Sequence, residues 1–294
     1  MIALKPGVKA EAAVVALRET VRTASNVVGA GGAAADVFNG YLAWATAQIR
    51  ALRGVLTNEE LDRLVTTRRY WTIQGISPAD YGTGLGDFVR LEIAERIDHL
   101  TEEIDRIQAE QDRWNIASTD STFSDSLQAV VLDTVFLMHH HRSLIEFDWH
   151  GTLGTRTDTS LGIAIPIAVI RELDSLKRSN GQMTVKGKKL ATRTLARQAL
   201  ISVGSHLAGS DTAVLTKPGT SDGPISRLHL TLLNDDLGHR PLAVADYEII
   251  DRATTLLPFV RDVYLITYDY SMAFTARQTD LHVVHLTEEE STAG

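Results

Sequence analysis

VVLDTVF, Val130 to Phe136, is an apolar run broken by a single carboxylate, Asp133. Aliphatic and β-branched residues without polar alternation suit a strand buried on both faces of a parallel sheet. Asp133 is out of place in such a run. An ionised carboxylate at the end of a buried strand is costly unless a cation or hydrogen-bond donors meet it. It therefore either caps the next helix or holds a metal, and the rest of the chain must decide.

Downstream, more acids follow apolar runs. IAIPIAV (163–169) reads as a second buried strand passing straight into IRELDSLKRS. Glu172 then falls at the start of a helix whose apolar face is Ile170, Leu173 and Leu176. LHLTLL (228–233) is a further strand within an irregular region, and Asp246 opens the helix DYEIIDRATTLL. VYLIT (263–267) is a short buried strand with Asp269 just beyond it, and HVVHL (282–286) is the last strand. Each acid alone has an ordinary explanation as a cap or a partner of the helix dipole. Ligands of open α/β sheets collect at the carboxyl ends of the strands, however, so all four acids are expected at one edge.

The net charge is −8, which argues against holding nucleic acid by bulk electrostatics. One segment reverses that balance. Between Lys177 and Arg197 stand Lys177, Arg178, Lys186, Lys188, Lys189, Arg193 and Arg197, with no acidic residue. Such a run suits a phosphate backbone. The run His139, His140, His141 suggests a metal site, but consecutive helical residues point apart, so the three cannot share one ion. They read instead as the solvated start of a helix over 139–147.

Four of these pieces, VVLDTVF, IPIAVIRELDSLKRS, ADYEIIDRA and VYLITYDYSMAFTAR, resemble in order the PIN-domain nucleases, in particular the toxin-like branch related to PhoH-like ATPases. The resemblance covers about residues 128–286. It implies a three-layer α/β/α domain with a parallel central sheet. It places the family's acidic quartet on Asp133, Glu172, Asp246 and Asp269, with Thr267 as a supporting hydroxyl, and Asp235 or Asp236 competes with Asp246. It also implies one or two Mg²⁺ or Mn²⁺ ions and an endoribonuclease acting on single-stranded RNA, as a toxin or defence enzyme with an antitoxin or other protein partner. The chain departs from the family at Val135 and Tyr268, where asparagine is usual. Those departures leave open a non-catalytic module that binds RNA or protein.

The N-terminal half lies outside that resemblance. Amphipathic helices are expected over 9–25 and 34–53, and Thr57 with Glu60 forms a capping-box signature. Gly29, Gly31 and Ala34 fit a dinucleotide fingerprint only loosely, because a helix precedes them instead of a strand, so they read as a turn. Residues 70–86, rich in glycine and aromatic residues, read as an ordered loop. Ile93, Ile97, Leu100, Ile104, Ile107, Gln111 and Trp114 alternate spacings of four and three, the heptad seam of a long helix, whose exposed face is supported by opposite charges four apart, Glu92 with Arg96 and Glu102 with Arg106. That seam pairs either with a second copy, making a homodimer, or with the rest of its own chain. The polar stretch 115–126 divides an all-α domain (1–120) from the α/β domain (126–287). With no cysteine, no long apolar span and no signal-peptide core, a cytoplasmic protein is expected.

Overall fold

The computed structural model describes residues 2–29, 32–77, 84–115, 127–157, 161–185, 187–216, 227–235 and 238–287. Gly31, the 116–126 stretch, Lys186 and Asp236 lie outside the described residues. The chain divides into two compact units, Met1–Asp112 and Arg113–Gly294.

The first unit is helical: α1 (Ala10–Gly29), α2 (Ala34–Leu52), α3 (Asn58–Leu64), α4 (Arg68–Gln74) and α5 (Leu85–Asn115), whose last residues belong to the second unit. The Thr57 hydroxyl accepts from the Glu60 amide at 3.4 Å, which caps α3 as its sequence signature predicts. Removing that acceptor in Thr57→Ala should lower stability by about 1 kcal/mol. A lower urea midpoint with unchanged helix content is the expected observation, and an unchanged midpoint would deny the cap any weight.

Two expectations change. Tyr70 and Trp71 belong to the short helix α4, capped by Thr67, not to a loop. Glu92 and Arg96, spaced like an exposed helix pair, are instead buried together, at 0% and 5% exposure. Thr67 donates to Glu92 at 2.8 Å and the Arg63 carbonyl accepts from Arg96 at 3.1 Å, so each buried charge has a further polar partner inside the unit. On the seam, Ile93, Leu100, Ile104 and Ile107 are buried. The chain covers its own heptad face.

The second unit is built on a six-stranded sheet: β1 (Gln128–Leu132), β2 (Leu161–Pro166), β5 (Thr212–Thr216), β6 (Arg227–Leu233), β7 (Val263–Thr267) and β8 (His282–His285). Their order is β5-β6-β2-β1-β7-β8, parallel except for β5, which runs against β6. A separate hairpin pairs β3 (Gln182–Val185) with β4 (Lys188–Ala191), and Gly187, at φ +72°, supplies the left-handed turn residue. The helices are α6 (Thr134–His140), α7 (Trp149–Leu153), α8 (Ile167–Leu176), α9 (Thr192–Leu207), α10 (Ala245–Thr254) and α11 (Tyr270–Ala276). This is the expected α/β/α domain with a mostly parallel sheet.

Burial on both faces explains the unbroken apolar strands. Every residue of β1 and β2 is buried. At Gly162, in the middle of β2, an added Cβ would sit 2.9 Å from the Trp114 ring, so only glycine lets that indole lie against the sheet.

The path of the chain fixes where a site belongs. From β1 it steps outward to β2 and then β6, and afterwards crosses back to β7 on the other side of β1. Right-handed crossovers then send the helices to opposite faces, which opens a crevice between the carboxyl ends of β1 and β7. α6, α8 and α9 pack on one another, and α10 packs on both α8 and α11.

Candidate functional site: a chain of carboxylates and hydroxyls at the switch point

β1 and β7 run in parallel register, with Leu132 opposite Ile266, so Asp133 stands level with Thr267. Asp133 caps α6. One of its oxygens accepts from the Phe136 amide at 2.5 Å. The other accepts from the Thr267 hydroxyl at 2.5 Å and from the Tyr268 amide at 3.3 Å. The same Thr267 hydroxyl accepts from the Asp269 amide at 2.9 Å. Asp269 in turn caps α11, accepting from the Met272 amide at 2.8 Å. On the other side, the Thr134 hydroxyl donates to Glu172 at 2.5 Å. The buried Thr267 hydroxyl thus joins the Asp133 carboxylate to the Asp269 backbone, and the buried Thr134 hydroxyl, next to Asp133 in sequence, holds Glu172.

Asp246 joins them through charge. Burial and the neighbouring Asp269 raise its carboxyl above the usual range. Asp133 is only 3% exposed, and burial pushes its carboxyl up to about 6. The donors from Thr267, Phe136 and Tyr268 oppose that rise, while the charge of Glu172 adds to it. Each of two acids therefore feels a like charge in the crevice. A divalent cation is the simplest group to relieve both, and an all-oxygen donor set suits a hard ion such as Mg²⁺ or Mn²⁺.

The ordinary explanation weakens for one acid and changes for another. α8 starts at Ile167, which puts Glu172 in its second turn, so it is not the first-turn dipole partner its sequence position suggested. α10 is capped by Val244, so Asp246 is not the expected N-cap but stands in the first turn, where it favours the helix dipole. Asp133 and Asp269 do cap helices, and for them capping and ion binding are compatible. An N-cap uses one lone pair of one oxygen.

Asp235 belongs to a second cluster. It pairs with Arg171 at 2.7 Å and forms a cluster with His239 and Glu248 whose candidate ligand atoms lie within 4.8 Å of one another. Glu248 accepts from the Leu242 amide at 2.8 Å and meets His239 at 2.7 Å, so this trio clamps the connection between β6 and α10. Among the described residues it is the tightest such group. No three of the four acids of the crevice come that close.

The basic residues separate into two groups. Lys177, Arg178 and Arg197 line one groove of about 460 Å³ with Leu200 and Ile201, and Lys177 is engaged by Asp174 at 2.5 Å. Lys188 and Lys189 are exposed on β4, and Arg193 is exposed in the first turn of α9. Through the β3 strand paired with it, the hairpin carrying Lys188 and Lys189 reaches a cavity beside the acids, where Met183 lines the wall.

The three histidines correct a sequence expectation. They close α6 instead of opening a helix, and all are at least 91% buried. They do point apart. His139 stacks on Tyr268 with ring centroids 4.6 Å apart, and His140 Nε2 shares a hydrogen bond of 2.7 Å with the Tyr268 hydroxyl. His141 Nδ1 faces the Met138 carbonyl at 3.1 Å. Thr134 is the residue that sequence reasoning missed. Its signal was available, since a hydroxyl directly after a strand-end aspartate is placed to hold a second acid.

No helix among the described residues is long and apolar enough to cross a membrane. No curated protein sequence matches the chain. The pattern of the PIN domain matches residues 130–287, more than half of the chain and all four acids of the crevice. The chain therefore belongs to the PIN-domain family, whose members are generally metal-dependent nucleases.

Proposed function

We propose that the chain is a Mg²⁺- or Mn²⁺-dependent endoribonuclease that hydrolyses phosphodiester bonds of single-stranded RNA, leaving a 5′-phosphate and a 3′-hydroxyl. The observation that carries the reading is the buried Asp133 carboxylate at the switch point, held by Thr267, its pKa raised by burial and by the charge of Glu172, with that of Asp246 raised in the same way by burial and Asp269. Asp133 and Asp269 are assigned as direct metal ligands. Glu172 and Asp246 serve a second ion or orient the attacking water. Thr267 is a positioning residue that aims the Asp133 carboxylate by donating to it. Bound cations lower the pKa of water and offset the charge that develops on the phosphate. Lys188, Lys189 and Arg193, with Lys186 beside them in sequence, are assigned to the RNA backbone, and Lys177, Arg178 and Arg197 to a more distant stretch of it.

The absence of cysteine fits a reducing, cytoplasmic setting. Action as a toxin or defence nuclease, with a protein partner that restrains it, extends the proposal through family resemblance. Burial of the seam between Ile93 and Trp114 speaks against a homodimer formed through that face.

The test is cleavage of matched single-stranded RNA and DNA with Mn²⁺, with Mg²⁺ and with chelator. Metal-dependent cutting of RNA is expected, and intact RNA under every condition would overturn the reading. That no three of the four acids bring ligand atoms within 4.8 Å of one another favours one second reading, a PIN domain that binds RNA without cutting. Calorimetry separates the two, because a non-cutting module should bind no divalent ion near millimolar concentration.

A further inference from the structure

Beside the acids lies a cavity of about 280 Å³ walled by Val135, His139, Met183, Tyr268, Tyr270 and His285. Val135 stands two residues after Asp133, and Tyr268 stands between Thr267 and Asp269. Those two side chains occupy the places where the family pattern has asparagine. The departures are thus one feature: together they turn a polar edge of the crevice into an apolar, aromatic wall.

The wall is stiff. The Tyr268 ring is stacked by His139, with centroids 4.6 Å apart, and its hydroxyl is held by His140 at 2.7 Å. Tyr270 stacks on His285 with centroids 3.9 Å apart and an interplanar angle of 30°. Tyr270 nevertheless keeps 63% of its surface exposed, as Phe274 beside it keeps 61%. Arg277 sits over the Phe274 ring at 5.5 Å. An exposed aromatic ring next to a crevice has unsatisfied apolar area, and rings held in advance lose little entropy on stacking.

The lining also selects by what it lacks. It contains no lysine or arginine, so a phosphate gains nothing there, whereas a flat, partly apolar ring gains stacking on the exposed Tyr270. Val135 and Tyr268 in its lining lie close to Asp133 and Asp269 in sequence, and Met183 belongs to the lysine-bearing hairpin. We infer that this cavity receives an unpaired nucleobase of the RNA, the one next to the scissile phosphate, with Tyr270 and Tyr268 as its stacking platform. The inference rests on the reading of the adjoining acids as the cleavage site, and it makes Tyr270 a specificity-determining residue.

The experiment uses the full chain carrying Asp133→Asn, so that RNA is not consumed, and single-stranded oligoribonucleotides with 2-aminopurine at successive positions. Stacking on tyrosine quenches 2-aminopurine fluorescence. Quenching is expected at one position, with binding weakened about tenfold by Tyr270→Ala and restored by Tyr270→Phe. Val135→Asn, which replaces part of the wall by an amide, should weaken quenching as well. Equal quenching in Tyr270→Ala and the parent, or no quenching despite RNA binding, would overturn the inference. A parallel cleavage assay with the parent chain keeps the two readings apart. Cleavage without Tyr270-dependent quenching removes the base pocket and leaves the nuclease. Tyr270-dependent quenching without any cleavage keeps the pocket and removes the nuclease.

Discussion

Asp133→Asn is expected to reduce Mn²⁺-dependent RNA cleavage by about 10²- to 10³-fold or more, the loss typical of removing one electrostatic stabiliser from a preorganised site. The substitution is nearly isosteric, and the asparagine oxygen can still accept from the Phe136 amide and cap α6. What disappears is the negative charge at the point where the Thr267 hydroxyl and the Tyr268 amide converge. Asp269→Asn should act in the same direction while keeping its cap on α11. Thr267→Val is a graded control. It leaves every carboxylate in place but removes the donor that aims Asp133, so its loss should be smaller and should appear in kcat more than in KM. Single-turnover cleavage with unchanged circular dichroism is the measurement. Full activity in Asp133→Asn would remove this carboxylate from the reaction.

Much of this site was legible before the fold. In VVLDTVF, Val130 to Leu132 could be read as a doubly buried strand because β1 is covered on both faces, while Thr134 to Phe136 already belong to α6, and the carboxylate at the join needs a reason. Thr267 and Asp269 were legible for the same cause, as the last residue of a buried strand and the cap that follows it. The less regular features were not. Glu172 was assigned to a first turn because IAIPIAV looks like one strand, whereas Pro166 ends β2 and the next three apolar residues already belong to α8. A short apolar run does not by itself distinguish a buried strand from the first turn of a buried helix. β5 went unread because it is a short edge strand of TAVLT with Val214 exposed, which shows no buried apolar run.

Burial misled in two other places. Three histidines in a row look hydrophilic, yet all are buried at the end of α6, His139 and His140 by ring stacking against Tyr268 and Phe136 and His141 with its Nδ1 on the Met138 carbonyl. Glu92 and Arg96 show the spacing of a surface ion pair. Nothing local says that Thr67 and Arg63, far away in sequence, supply the remaining hydrogen bonds that make their burial tolerable. Periodicity reports which face of a helix is apolar, and it does not report which polar residues have partners waiting on another element.

The high pKa of Asp133 gives the site a signature in stability that needs no substrate. Its carboxyl lies at about 6 in the fold against an ordinary 3.8. The folded chain therefore holds this proton more tightly than the unfolded chain does, so protonation favours folding. That contribution is fully present below about pH 4 and is lost as pH rises through about 6. At about 1.4 kcal/mol per pH unit the gap amounts to about 3 kcal/mol. Asparagine does not titrate. Urea denaturation of the parent and of Asp133→Asn should therefore show the parent losing about 3 kcal/mol relative to the variant between pH 4 and pH 7. Other titrating groups are common to both chains and cancel in the difference. Divalent cations should restore the parent at neutral pH, by about 2.7 kcal/mol at a hundred times their dissociation constant. They should do less at pH 5, where binding must first displace a proton, and less still in the variant. Parallel pH profiles for the two chains would show that Asp133 carries no unfavourable charge in the fold. The crevice would then have no electrostatic need of a cation at Asp133.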